Sequence, residues 1–260
     1  MSQGVKFAQP LRCEISPRLI SKKLILALMS TWIILVGASF AWNWFQIESS
    51  VFEMARIEAL SHFEKDLLYR RWSSNHGGVY VPPTERSPAN PYLTQLPDRD
   101  VVTVEGKVLT LINPAYMTRQ VYELAEQQSG VRGHITSLKP LRPENGPDQW
   151  EQRALSAFET GTTEIAALDQ MDGISYLRFM RPLAVEKPCL LCHKQQGYQV
   201  GDIRGGISIA VPFAPYTKIA EGQIQHYLIG HALFGIIGLI GIWVFFRRIE
   251  QTEDLLRASE

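Results

Sequence analysis

Two cysteines three positions apart, followed at once by a histidine, are the residues whose spacing points most directly to chemistry: Cys189-Leu190-Leu191-Cys192-His193. Thiols on that spacing can add across the two vinyl groups of a porphyrin, and the adjoining imidazole can then reach the iron from one face. This is the attachment pattern for c-type haem, with Cys189 and Cys192 as thioether residues and His193 as the proximal iron ligand. Other chemistry draws on the same residue types. A structural zinc site would use both thiols, His193 and a further histidine. The two cysteines could instead close a disulfide or act as a thioredoxin-type redox pair, although no βαβ pattern surrounds them. The third cysteine, Cys13, is expected as a free cytoplasmic thiol.

An iron held by His193 has a second axial position, and three residues compete for it. His76 stands before Gly77 and Gly78, where the backbone can approach a flat macrocycle. Met117, in Asn113-Pro114-Ala115-Tyr116-Met117, is of the type common in electron-carrying haem c. His134 follows Arg132 and Gly133. Each also has an ordinary alternative, as a loop cap, as core filler or as a satisfied structural histidine. An open or water-occupied position is the fourth outcome. Haem propionates are anionic, so Arg70, Arg71, Arg178, Arg181 and Arg204 are candidate contacts, weighed against being solvated surface charges.

The elements that must position these residues are set by an uneven chain. Of 260 residues, 26 are Lys or Arg and 26 are Asp or Glu, which leaves no basic excess for nucleic acid. Apolar residues at 45% and charged residues at 20% exclude disorder as the default state. Three cysteines are too few for a disulfide-stapled fold. Leu24 to Phe45 and Tyr227 to Phe246 contain no charge. The first would extend about 33 Å as a helix, enough to cross a hydrocarbon core of about 30 Å. A cleavable signal peptide is the competing reading of the first block, and a buried soluble helix that of the second. Gly230, Gly235, Gly238 and Gly241 weaken a soluble helix but allow close packing in lipid. Lys6, Arg12, Arg18, Lys22 and Lys23 precede the first block, and Arg247 and Arg248 follow the second. Both chain ends are therefore expected in the cytoplasm and the central part in the periplasm. The expected organisation is a tail over 1–23, a span over 24–45, a domain over 46–226, a span over 227–246 and a connector over 247–260. His231, one turn inside the second span, either snorkels to the interface or marks a second haem site.

Within the domain, Val51, Met54, Ile57, Leu60, Leu67 and Leu68 recur near helical spacing, predicting a helix over 48–72. Residues 76–97 hold Pro82, Pro83, Pro88, Pro91 and Pro97 and read as a long loop. Tyr116 to Gln128 reads as a helix, Asp148 starts another running to Thr160, and Thr162–Asp169, Ser175–Pro182 and Arg204–Val211 read as strands. Asp172-Gly173 signals a hairpin, and Gly205-Gly206 a bulge or a close backbone approach. A further helix is expected to run from Pro215 into the second span. Helices beside a small antiparallel sheet give an α+β class.

The string from Cys189 to Ser208, CLLCHKQQGYQVGDIRGGIS, matters as a whole. With RRW at 70–72, HGGVYVP at 76–82, NPAYMTRQ at 113–120 and GHITS at 133–137, it resembles a family of membrane-anchored bacterial sensor domains. Members carry a c-type haem on a PAS-like fold between two spans, often ahead of histidine-kinase or diguanylate-cyclase modules. The resemblance implies one covalent haem c at Cys189 and Cys192 with His193 on the iron, and leaves His76, Met117 and His134 open. After Phe246 only a short tail is present, and Ile249 and Leu256 suggest at most one heptad of a connector. No nucleotide loop, kinase signature or cyclase motif is seen, so no enzymatic output is expected of these residues.

The expected function is a haem-based sensor input module in the cytoplasmic membrane, responding to redox state or a small ligand. Its expected partners are that ligand or a redox partner, membrane lipid, a cytoplasmic signalling module or protein, and a second copy of the chain. A membrane-tethered monohaem cytochrome, passing electrons to a respiratory partner, is the rival. A zinc-binding structural or chaperone-like membrane protein is the third class.

Overall fold

A computed structural model describes residues 17–259, without the side chains of 17–21, Leu191, Cys192, Lys194 and Arg257. Cys13, Lys6 and Arg12 lie outside the described residues. The chain divides into two units: residues up to Glu48 together with those from Ala220 onward, and Ser49–Ile219.

The first unit contains the apolar parts of two long helices, α1 (Pro17–Asn75) and α5 (Ala214–Ser259). Both helices are long and apolar enough to cross a membrane, and nothing in their most apolar stretches is buried. The pair is compatible with a two-pass membrane protein. Trp32 Nε1 donates to the Gly235 carbonyl at 3.2 Å, and its ring packs on Phe234 with centroids 4.9 Å apart. A Cβ at Gly238 would lie 2.2 Å from the Trp32 ring, so a glycine there lets the helices approach.

The second unit is a mixed α and β domain with two small antiparallel sheets. One sheet has the order β1-β3-β2, from β1 (Val79–Val81), β2 (Asp100–Val102) and β3 (Val108–Ile112). The other has the order β4-β7-β6-β5, from β4 (Arg132–Thr136), β5 (Ile165–Met171), β6 (Ile174–Ala184) and β7 (Ile203–Pro212). Helices α2 (Pro114–Ser129) and α3 (Gln149–Glu159) pack against the second sheet.

Local chemistry explains several boundaries. Asn113 caps α2 by accepting from the Tyr116 amide at 3.0 Å, ahead of a proline whose ring presets the first turn. Asp148 and Glu151 form a reciprocal capping box at the start of α3. Asp172 (φ 53°) and Gly173 (φ 79°) close the β5–β6 hairpin with both central residues left-handed, the geometry that matches strand twist.

The core forms on both faces of β6. Phe179 meets Phe63 of α1 with centroids 6.2 Å apart, while Met180, its neighbour, packs against Ala154, Leu155 and Phe158 of α3. The α1 stripe that is buried comprises Val51, Ala55, Ala59 and Phe63, at four-residue spacing. Of the apolar series that signalled the helix, Met54, Ile57 and Leu68 are exposed, and two alanines allow the helix to lie close. The loop expected over 76–97 is corrected. Val79-Tyr80-Val81, just before the first proline, pairs with β3 as an edge strand, and Pro91–Leu93 forms a 3-10 turn.

Two glycines in β7 meet backbone at close range. A Cβ on Gly205 would lie 2.2 Å from the Thr136 carbonyl, and one on Gly206 would lie 2.8 Å from the Arg181 carbonyl. The register shifts between Leu183 and Ala184, opposite this pair, so the bulge and the close approach coincide. Beyond Ala184 the chain leaves the sheet and returns at Ile203. Val185 N donates to the Asp202 carbonyl at 2.8 Å and Gly201 N to the Val185 carbonyl at 2.9 Å, closing this excursion at its neck.

Candidate functional site

The excursion carries the Cys189–His193 motif. A 3-10 turn (Lys187–Cys189) leads into α4 (Leu190–His193), and a second 3-10 turn (Lys194–Gln196) follows. Pro188 sits in the first turn, where a missing amide proton costs nothing. Cys189 is half-buried, and its Sγ accepts from the Glu186 amide at 3.4 Å. The Cys192 backbone belongs to α4, and its side chain lies outside the described residues.

His193 is held through one ring nitrogen. Gln196 donates its amide nitrogen to the Lys139 carbonyl at 3.2 Å, which turns its oxygen to within 2.8 Å of His193 Nδ1. Nδ1 is then the donor. Arg204 Nε also lies 3.2 Å from Nδ1, but two N–H groups facing each other make no bond, so the shorter Gln196 contact is the one that orients the ring. Nε2 has no hydrogen-bond partner among the described residues. Burial lowers the His193 pKa, the Gln196 bond opposes this, and the Arg204 and Arg70 charges lower it further. Each of these except Gln196 favours the neutral ring that a metal requires.

His193 lines two clefts of about 800 and 770 Å³, open space included. Both clefts also include Arg70, Asn113 and Ala115. Cys189, Gly77 and Gly78 line the second. The first adds Arg119, Arg142 and Arg204, so four guanidinium groups border one cleft. Arg70 Nη1 is buried without a partner among the described residues, and burial lowers that group's pKa against the opposing influence of Cys189 and Asp66. A buried, unpaired guanidinium donor is costly, and an anionic group in the cleft would relieve it. Arg204 donates to Ser137 Oγ and lies over the Tyr198 ring at 5.0 Å.

Of the five candidate arginines, Arg70 and Arg204 share a cleft with His193. The other three are placed elsewhere. Arg71 is exposed and paired with Glu186 at 2.9 Å. Arg178 is buried against Asp148 at 2.6 Å and Asp169 at 3.1 Å, with its guanidinium over Trp150. Arg181 pairs with Glu164 at 2.7 Å. Each is paired with carboxylates, although Arg178 Nε is buried without a hydrogen-bond partner among the described residues.

None of the three axial candidates lines either cleft. His76 is exposed, its Nδ1 is 2.8 Å from the Trp72 carbonyl, and its ring lies 4.6 Å from that of Trp72; only its glycine neighbours reach the cleft. Met117 is half-buried on α2, while Tyr116 and Arg119 take the cleft-facing positions. His134 lies in a different cleft, with Nδ1 2.9 Å from Glu151, because strand alternation turns it away from the side on which Ile135 meets the first cleft. Sequence reasoning missed Gln196, Arg119 and Arg142. The nearest available signal for Gln196 was an amide three residues beyond the motif histidine, which alone says nothing of its partner.

A family model described as Tll0287-like matches residues 48–212. A solved structure, that of the cyanobacterial haem protein Tll0287, aligns with a TM-score of 0.40 at 14% identity, covering 60% of this chain and 92% of that one. The search of curated proteins returned no match.

Proposed function

The chain belongs to the Tll0287-like family, and on that premise we propose that it is a two-pass membrane protein whose domain carries one haem c. The protein that gives the family its name is described as a cyanobacterial haem protein. One observation carries the reading: the motif histidine presents an unpartnered Nε2 in a cleft that it shares with Cys189 and the orphaned guanidinium of Arg70. In this reading Cys189 and Cys192 would form the thioethers and His193 would hold the iron through Nε2. Gln196 holds the ring from behind, and Arg70 and Arg204 receive the propionates. Haem held there would supply one-electron redox chemistry.

We take the module to be a sensor on a PAS-like scaffold in the periplasm, with basic flanks holding both ends in the cytoplasm. The placement of His76, Met117 and His134 away from the clefts supports an exchangeable axial position over the two firm ligands of an electron carrier.

The full chain, produced in a host that matures cytochromes, is expected to stain for peroxidase activity on a denaturing gel. The stain is expected to vanish in Cys189→Ala/Cys192→Ala. An unstained wild-type band would overturn covalent attachment. Carbon monoxide or nitric oxide is expected to change the reduced spectrum. An unchanged spectrum, with the iron six-coordinate in both oxidation states, would favour the carrier.

A further inference from the structure

A second cavity, of about 770 Å³ including open space, lies wholly within the unit formed by the apolar parts of α1 and α5. Trp32, Leu35, Val36 and Phe234 give it apolar walls, and Ser39 and His231 give it a polar end. An imidazole inside a membrane span is costly unless it has partners, and His231 has three. Its Nδ1 donates to the Tyr227 carbonyl at 2.8 Å, its Nε2 meets Ser39 Oγ at 3.2 Å, and Phe40 packs edge-on with centroids 5.6 Å apart. With Nδ1 committed to a carbonyl, Nε2 is the acceptor that faces Ser39. Gly230 lines the same cavity, and a Cβ there would meet nothing within 4 Å, so the space is open beside it.

We propose that this cavity binds the head of a membrane quinol, one ring hydroxyl donating to His231 Nε2 in place of Ser39 and the ring lying among Trp32, Leu35 and Phe234. The cavity selects for this chemistry by elimination. Its lining holds no Lys, Arg, Asp or Glu, and its titratable side chains are His226, His231 and Tyr227, so a phospholipid headgroup finds no permanent counter-charge. An acyl chain would fill the apolar walls without engaging the polar end, where His231 Nε2 is paired with Ser39. An uncharged ring with a hydroxyl donor, delivered through lipid, uses both. The proposal rests on the two-pass reading and is independent of the haem.

The test uses the full chain in nanodiscs of phosphatidylethanolamine and phosphatidylglycerol, titrated under anaerobic reducing conditions with a decyl-substituted benzoquinol and a short-tailed naphthoquinol. At least one of the two is expected to bind saturably at one per chain. The dimethyl ether of the binding quinol, which keeps the ring but loses both donors, is expected to bind at least tenfold more weakly. Gly230→Leu, which fills the space, and His231→Leu are each expected to weaken quinol binding at least tenfold with an unchanged circular dichroism spectrum. Equal binding of the ether would show an apolar groove only and overturn the proposal, as would failure of both quinols to saturate. The ether arm needs no variant, so a misfolded substitution does not remove the test. The haem stain, run on the same samples, separates the two readings: quinol binding to an unstained chain would sink only the haem.

Discussion

Gln196 Oε1 stands 2.8 Å from Nδ1 of His193, three residues away, while its amide nitrogen is tied to the Lys139 carbonyl beyond the end of β4. The ring is therefore aimed by a side chain anchored on a different part of the domain. Partners of this kind typically change metal affinity ten- to a hundredfold when removed. In Gln196→Leu the haem is expected to stay covalently attached, while the His193–iron bond weakens about tenfold and the midpoint potential rises, because the imidazole loses the acceptor that makes it a stronger donor. Gln196→Glu is expected to restore the ligation and lower the midpoint potential, because a carboxylate makes the imidazole a stronger donor to ferric iron. Potentiometric titration followed by absorbance measures both.

Arg70 makes a separate prediction. A hydrogen bond to a charged group contributes about 1.5–3 kcal/mol, or roughly 10- to 150-fold in affinity. In a Cys189→Ala/Cys192→Ala background, where haem is held without thioethers, Arg70→Leu is expected to weaken haem binding within that range. Arg71→Leu, at an exposed pair, is expected to change it less than about twofold. Haem titration of the two variants distinguishes the buried arginine from its neighbour.

Arg178 is a structural cation. Its buried guanidinium meets Asp148, Asp169 and, at 3.5 Å, the buried Glu151. Glu151 is buried but Asp148 and Asp169 are partly exposed and screened by water, so removing the cation costs less than the roughly 3–5 kcal/mol of a fully buried set, on the order of 1–3 kcal/mol. Arg178→Met is expected to lose stability on that scale in denaturant unfolding, while the haem content of the folded fraction stays at the wild-type ratio.

The pair formed by His134 and Glu151 predicts a pH dependence. Burial disfavours charge on the His134 ring, but the hydrogen bond and charge of Glu151 outweigh it, so the folded pKa is raised. The resulting stabilisation is fully present below the ordinary histidine value of about 6.5 and is lost as pH rises through the higher folded value. The stability difference between wild type and His134→Gln is therefore expected to shrink from about pH 6 to about pH 9, by less than about 1 kcal/mol for a half-exposed ring. Asp148 runs the other way. Burial raises its pKa, but the Glu151 amide and Arg178 lower it more, so its contribution is present above about pH 4 and is lost in acid.

The parts of the fold written in short-range chemistry were legible. The Asp148 cap and the Asp172-Gly173 hairpin each depend on residues within a few positions of one another. Strand β4 was not legible, because Arg132-Gly133-His134 has no strand character of its own and is fixed by pairing with residues 206–210 of β7. The buried stripe of α1 was not legible for a related reason: hydrophobic spacing marks the helix, whereas close packing buries Ala55 and Ala59 and leaves Met54 and Ile57 exposed. At the site, the motif named Cys189 and His193, and Arg70 and Arg204 were among five arginines of equal standing. Only three-dimensional pairing separated them, since Arg178 and Arg181 already had carboxylates and Arg70 had none at Nη1.

The neck formed by Val185 with Gly201 and Asp202 has a consequence for how this domain can change over time. Everything that distinguishes the motif lies on a cassette whose two ends meet, and Ala184 pairs with Ile203 directly beneath it. Lengthening, trimming or rewriting that cassette leaves the strand pairing below it intact, and the entropic cost of a longer loop grows only slowly. Scaffold and cargo are thereby separable: one sheet can host a different prosthetic group, or none, without relearning how to fold.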